Sequence, residues 1–518
     1  MNIHQLNINY ILEKRIGFWQ EFFLCLALAL AARGSMVFQL NLSVDDYAGL
    51  NFIDGPNFVF ALQEMRFFAY CTNITLHWLG SYYPYAGVLW PILFNAAFVF
   101  AGLVAMRIWT PLAGSLALIT GASLFALFPY HSDYLSFQMA GPAVGSMLVI
   151  GWASLYFCVR GGKAMAWGLG GLVYAVSGQI TFVFLFFVVL FEALIWAFQA
   201  IRNGNRKLLA SARPWLVRLG LLFLSAILYV LIHKAVLLML GVTAGGRVNL
   251  SGLDEYPAKI ILLTKQCYFF LFKGEVSIPV AAKFLQLGLL GLVAFAGVQA
   301  VSGNPSSRAR VVVLWGLCLL GSVGAIAASM GAVLPIAGEY AHMNPRSLSG
   351  LAMYWAGVYA MAWAVCSGDA RRCVAGIGVV LVFIYAVNVN RQAIDHARIN
   401  ERDRLVGSRM VERLSQLPEF EKVRTVVLCP THYRFNLDRI TTETSGFNIS
   451  SLYRELSSTA VLREVSSWPF EAPTENDRQL AKKIAQGRPV WPLAGSVFIE
   501  GDIGVVVLPQ MENQAFKN

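Results

Sequence analysis

Charge is what this chain is short of. Only 13% of its 518 residues are Asp, Glu, Lys or Arg, about half the share of an ordinary soluble domain. Its eight cysteines, at 25, 71, 158, 267, 318, 366, 373 and 429, show none of the short paired spacings of zinc or redox motifs and read as apolar filler. Its seven histidines are dispersed with no HExxH pair, and neither a GxxxxGK[ST] phosphate loop nor a GxSxG elbow occurs. These absences leave the soluble metalloenzyme, NTPase and hydrolase readings without support. No internal repeat or low-complexity segment stands out.

What the chain does have is apolar sequence. Hydrophobic residues make up 57% of it, and they come in blocks of about 18–25, each enough to cross about 30 Å of hydrocarbon as a helix. The expected fold is a polytopic α-helical membrane protein. The first block, Phe18 to Leu40, exceeds the apolar core of a signal peptide and no small-x-small site follows it, so it is expected to stay as a span. Lys14 and Arg15 before it place the N-terminus in the cytoplasm, since basic residues near span ends stay inside.

Further spans are expected near Tyr85–Met106, Pro111–Phe128, Met139–Val159, a hairpin Ala166–Phe198, Leu219–Leu240, Ile278–Val301, Val311–Met330, Leu348–Cys366 and Val374–Val389. The basic turns at Arg107, Arg160/Lys163, Arg202–Arg218, Arg308/Arg310 and Arg371/Arg372 alternate with acid-bearing loops, as inside and outside loops should. The apolar stretch Ala258–Phe272 is short for a span and is placed at the interface. The total is about eleven spans, an odd number that puts the C-terminus outside.

Composition changes at residue 390. Residues 1–390 form the expected multi-span domain, and residues 391–518 read as a soluble α/β domain on the extracytoplasmic side. Its expected elements are a charged helix Ala393–Leu417, a strand Thr425–Leu428 and a hairpin Val497–Leu508. From Asn390 onward 17 Lys/Arg face 16 Asp/Glu, so the chain's net +11 resides almost wholly in the membrane half. Basic charge there reports topology, not a nucleic-acid partner.

The candidate chemistry centres on Ser43-Val44-Asp45-Asp46-Tyr47, directly after the first span. Carboxylates at the rim of a bilayer stay ionised in water and still face lipid-borne substrates. In extended backbone adjacent side chains point opposite ways, so one acid would take an acceptor proton and the other would position the site. The competing reading is a helix end or turn satisfied by local backbone N–H groups.

Between Asp54 and Gly80 apolar residues recur at helical spacing, giving an external amphipathic helix with Arg66 at the edge of its stripe. Glu64 and Arg66 are substrate-binding candidates there, Arg66 for a lipid phosphate, against a snorkelling surface arginine. His131 and Asp133 in the second external loop either line a cavity or cap a turn. Gln179 is a sugar contact or a buried polar contact between helices. Of the cations on the outer side, Arg33, Lys234, Arg247, Lys259, Lys265, Lys273 and Arg346, most read as interfacial anchors; Lys234 and Arg346 are preferred to stabilise a departing phosphate. No cofactor is implied. Adjacent acids are compatible with a divalent cation, although no oxygen-rich cluster of sufficient size accompanies them.

The order of these features resembles the GT-C-class glycosyltransferases, most closely the phage and bacterial O-antigen glucosyltransferases of the Gtr type II family. The matching pieces are Asp45-Asp46 after the first span, Arg66 with Leu76–Gly80, Phe128-Pro129 with Tyr134–Phe137, Gln179 opening a span, and Pro345-Arg346-Ser347-Leu348 opening another. Met65 stands where that family has glycine before arginine.

The resemblance implies an inverting hexosyltransferase of the bacterial cytoplasmic membrane. It would move a single sugar, glucose in the family, from a polyprenyl-phosphate donor to a lipid-linked or surface glycan such as O-antigen in lipopolysaccharide. The partners implied are that donor, the glycan acceptor and membrane lipids. Two other readings stay open. A glycolipid flippase or transporter would place ionisable groups within spans near broken helices. An oligosaccharide polymerase or ligase would share the lipid-linked substrates.

Overall fold

The computed structural model describes residues 12–39, 42–43, 46–47, 62, 66–80, 89–136, 141–157, 162–178, 180–202, 213–243, 253–268, 278–302, 316, 348–430, 449–452 and 455–509. The chain divides into two compact units, and the first is helical: it comprises Met1–Val37, Phe58–Leu135 and Ala140–Asn390. Its helices are α1 (Phe18–Ala32), α2 (Phe67–Trp78), α3 (Leu89–Trp109), α4 (Ser115–Ala126), α5 (Gly141–Phe157), α6 (Gly162–Val176), α7 (Ile180–Arg202), α8 (Arg213–Leu240), α9 (Tyr256–Tyr268), α10 (Val280–Ser302), α11 (Leu351–Val365) and the first part of α12 (Gly368–Ser415).

Five helices among the described residues are long and apolar enough to cross a bilayer: α3, α7, α8, α10 and α12. The chain is thus a helical membrane protein. Helices α1, α4, α5 and α11 are apolar but shorter. Apart from Gly316, the expected span Val311–Met330 lies outside the described residues.

Packing follows from composition. Helix α11 is apolar all round and contacts α3, α4, α7 and α10, so it sits at the centre of the bundle with most of its residues buried. Helices α8 and α10 are the opposite case. Leu238 and Met239 of α8 are each 84% exposed, and Phe284 and Val298 of α10 are also exposed, as lipid-facing surfaces require. Small residues set the closest approaches: a Cβ on Gly102 of α3 would lie 3.1 Å from the Ala122 backbone of α4.

At the start of α1, Glu21 is fully buried and accepts from Arg107 at 2.6 and 3.1 Å and from the Ser115 hydroxyl at 2.5 Å. This tie holds the ends of α1, α3 and α4 together. Helix α1 ends earlier than the apolar run that encodes it. Arg33 turns inward, donating to Asn95 Oδ1 at 2.5 Å and to the Ala126 carbonyl at 2.6 Å, and a short helix, Gly34–Phe38, follows. Reading Arg33 as an interfacial anchor was therefore incorrect: the side chain is 1% exposed and caps the carbonyl end of α4, where the helix dipole favours a cation.

The second unit comprises Phe38–Asn57, Ser136–Met139 and Arg391–Asn518. The sequence suggested a span ending at Val389 and a separate charged helix from Ala393, but both belong to the single 48-residue α12. The intervening Asn390-Arg391-Gln392 contains no glycine or proline, so nothing breaks the helix there. Its first part lies in the helical unit and its second in this one.

The rest of the described second unit is a three-stranded mixed sheet with two helices, α13 (Glu455–Ser466) and α14 (Glu475–Ile484). Strand order is β1-β3-β2, with β1 Thr425–Cys429, β2 Val497–Glu500 and β3 Ile503–Val507. Central β3, Ile-Gly-Val-Val-Val, is buried throughout, pairing parallel to β1 (Val505 with Val427) and antiparallel to β2 (Val505 with Phe498).

The expected hairpin is present, closed by Gly501-Asp502 with Gly501 at φ 62°, a left-handed turn position that glycine occupies without strain. The core comprises Val427, Cys429, Ala481, Ile503, Val505 and Val507. At its edge Arg424 pairs with Asp502 at 2.8 Å, Asp477 at 3.1 Å and Glu471 at 3.2 Å, clamping the start of β1 to α14 and the hairpin turn.

Candidate functional site

Of the acidic pair, Asp45 lies outside the described residues and Asp46 is described. Asp46 is completely buried and belongs to the second unit, not to the bundle whose first span it follows in sequence. Ser43 caps a helical turn: its hydroxyl accepts from the Asp46 N–H at 3.1 Å, and Asp46 Oδ2 accepts from the Ser43 N–H at 3.0 Å. The Ser43 hydroxyl also lies 2.9 Å from the same carboxylate oxygen. This reciprocal pair is a capping box.

Thr474 and Asp477 build the same box at the start of α14, at 3.2 and 2.7 Å. There the Asp starts a helix and pairs with Arg424, with its carboxyl held below the usual range; burial opposes this, outweighed by its bonds to Thr474 and by Arg424. The geometry thus has the Asp46 carboxylate holding this turn.

The capped turn rests on the second part of α12. Leu42 N–H donates to Asn400 Oδ1 at 3.0 Å. Tyr47 is 1% exposed and donates to Glu464 Oε2 at 2.6 Å, and Arg404 Nε donates to the other oxygen of that carboxylate at 3.0 Å. Burial and the neighbouring Glu464 raise the Tyr47 phenol well above its usual range, so it stays a donor. One turn of α12 from Asn400, Asp403 accepts from Ser450 Oγ at 2.7 Å and from the Ser451 N–H at 2.5 Å, with Arg402 3.5 Å away. Burial pushes the Asp403 carboxyl up to about 6 despite these partners.

Sequence reasoning named none of Asn400, Asp403, Arg404 or Glu464. They lie more than 350 residues from the aspartates, the first three on a helix read simply as charged and Glu464 on α13, and no local motif marks them.

The other expected site residues fall in the first unit or outside the described residues. Glu64, Gln179 and Arg346 lie outside. Arg66 is exposed and stands at the N-cap of α2, not on the stripe of a longer helix, and the Phe67 N–H donates to Tyr229 Oη at 3.3 Å. His131 is completely buried among the rings of Phe98, Phe125, Phe128 and Phe184. Burial, with Arg33 nearby, pushes its imidazole down to about 3. It is neutral at physiological pH and packs as an aromatic ring rather than lining an open cavity. Asp133, 3% exposed, sits in the first turn of a short helix, Ser132–Ser136.

Lys234 is exposed on α8, next to the buried His233 and on the apolar outer surface. Its ammonium thus resembles a lipid-side anchor more than a group held in a dry cleft. Among the described residues no group of three or more His, Cys, Asp or Glu is arranged to hold a metal. The chain matches no protein family, no curated protein and no solved structure with which it was compared.

Proposed function

We propose that this membrane protein is an inverting glycosyltransferase of the GT-C kind, moving one sugar from a polyprenyl-phosphate donor to a lipid-linked or surface glycan. The reading places about eleven spans in a bacterial cytoplasmic membrane, the N-terminus in the cytoplasm and the second unit in the periplasm. The observation that carries it is the acidic pair immediately after the first span, with Asp46 fixed in a capping box. A carboxylate spent on holding the turn leaves its neighbour as the one to meet the acceptor.

Asp45 is then the general base. It takes the acceptor hydroxyl proton as the acceptor oxygen bonds to the anomeric carbon. The anomeric C–O bond to phosphate breaks with its electron pair going to the phosphate oxygen, and configuration inverts in the single displacement. Base assistance of this kind contributes on the order of 10²–10⁴-fold. The departing phosphate needs cationic compensation, for which Arg66 and Arg346 are the candidates and Lys234, on the outer surface, is the weaker one.

Transport is less favoured, because Glu21 and Glu192, the acids described within the apolar helices α1 and α7, are each paired with an arginine, Arg107 and Arg218, at 2.6 Å. The test is mass and linkage analysis of the surface glycan from cells with and without the chain. Gain of one hexose per repeat that disappears in Asp45→Asn supports the reading. An unchanged glycan, or lipid-linked sugar moved across vesicles with no new glycosidic bond, defeats it.

A further inference from the structure

The second part of α12 buries a set of polar side chains beside its apolar ones, Ala393, Ile399, Met410 and Leu414. Gln392, Asp395, His396, Asn400 and Asp403 are each no more than 3% exposed, while Arg391, Ile394, Arg398 and Leu405 are exposed. At about 100° per residue the five buried polar side chains fall within an arc of about 140°, so they form one stripe. Asn400 and Asp403 are occupied, holding Leu42 and the Ser450–Ser451 turn. Gln392 is different: 2% exposed, with neither its amide oxygen nor its amide nitrogen bonded to any partner among the described residues. One turn along, His396 is buried with its Nε2 3.4 Å from the Asn400 amide nitrogen, and burial pushes it down to about 4, so at neutral pH its imidazole is uncharged.

A buried carboxamide with both its donor and its acceptor unpaired is costly, and native interiors rarely keep one without a ligand or an ordered water. We infer that Gln392 is a carbohydrate contact, with His396 beside it, binding a pair of neighbouring hydroxyl groups of the glycan acceptor. Each sugar hydroxyl both donates and accepts, which matches a free carboxamide. A neutral ligand also fits the charges of the stripe. Its two carboxyl groups, Asp395 and Asp403, disfavour an anion, while Arg391 and Arg398 turn outward and Arg402 lies beside Asp403. The assignment to the acceptor rests on the glycosyltransferase reading; binding of a sugar does not.

The test is saturation-transfer NMR on the full-length protein in detergent, with methyl α-glucoside, methyl α-galactoside and methyl α-rhamnoside as probes, comparing wild type with Gln392→Met. Met keeps the length of the side chain and removes both polar atoms. At least one probe is expected to receive saturation from the wild type and to lose it in the variant, while the thermal midpoint of the variant is unchanged or higher. In a transfer assay, Gln392→Met is expected to raise the acceptor KM about tenfold and leave the donor KM unchanged.

Absent or equal NMR signals for all three sugars, together with an unchanged acceptor KM, would mean that the carboxamide holds only water, and would overturn the inference. Sugar binding lost in Gln392→Met by a protein that transfers no hexose would instead retain this site and refute the proposed function.

Discussion

The division of labour between the two aspartates yields the sharpest prediction. Asp46→Ala leaves the buried Ser43 N–H without its acceptor and removes half of the capping box. An unsatisfied buried donor costs about 1–3 kcal/mol, and loss of a cap typically about 1 kcal/mol, so a local destabilisation of about 2 kcal/mol is expected. That corresponds to roughly 30-fold faster hydrogen exchange at the amides of Ser43, Asp46 and Tyr47.

Asp46→Asn retains a carbonyl oxygen able to accept from Ser43 and should accelerate exchange only several-fold. Ser43→Ala removes the other half of the same box and should resemble Asp46→Ala. The transfer assay then separates the roles. If Asp46 positions, Ser43→Ala and Asp46→Ala lose similar activity, Asp46→Asn retains much of it with an unshifted pH–rate profile, and Asp45→Asn is inactive at every pH. Asp46→Asn as inactive as Asp46→Ala, beside a fully active Ser43→Ala, would refute the argument, because Asp46 would then be acting through its charge and not its cap.

Three further outcomes follow from the packing. Glu21→Ala strips Arg107 and Ser115 of a buried acceptor and should cost about 3 kcal/mol; thermal unfolding in detergent checks it, and an unchanged midpoint would show that the tie between α1 and α3 is dispensable. Asp403 has a folded-state pKa raised from 3.8 to about 6, so its contribution to stability is complete below about pH 4 and is lost as pH rises through 6. Relative to Asp403→Asn, which does not titrate, the wild type should lose up to about 3 kcal/mol between pH 4 and pH 7, measurable as diverging denaturation midpoints at the two pH values. Gly102→Leu forces a side chain against the Ala122 backbone and should cost about 1–3 kcal/mol through separation of α3 and α4, whereas Gly170→Leu, with open space at its Cβ, serves as the unaffected control.

Much of the second unit could be read in advance, since the short apolar run Thr-Val-Val-Leu and a Gly-Asp turn between two apolar runs encode their own backbone. Strand β1 begins at the expected residue, and the hairpin β2–β3 fills the expected range. The long helices of the first unit were equally legible, because twenty apolar residues have few alternatives in a bilayer. Their ends were less so. The first apolar run breaks at Arg33 because a guanidinium finds Asn95 and Ala126 across the bundle, a choice no local pattern announces. The candidate site was half visible: Ser-x-x-Asp is a capping signature as well as a pair of acids, and periodicity cannot choose between those uses.

By itself the amino-acid order determined that this chain enters membranes, where its apolar helices lie and where a small sheet forms, because hydrophobic period and turn chemistry act over a few residues. Tertiary structure alone decided that Asp46 is buried in a cap against the far end of the chain, that His131 is a neutral ring in an aromatic box, and that five polar side chains of α12 are buried. Burial depends on which distant segments meet, and desolvation, which sets the role of a charged or polar group, exists only once they have met.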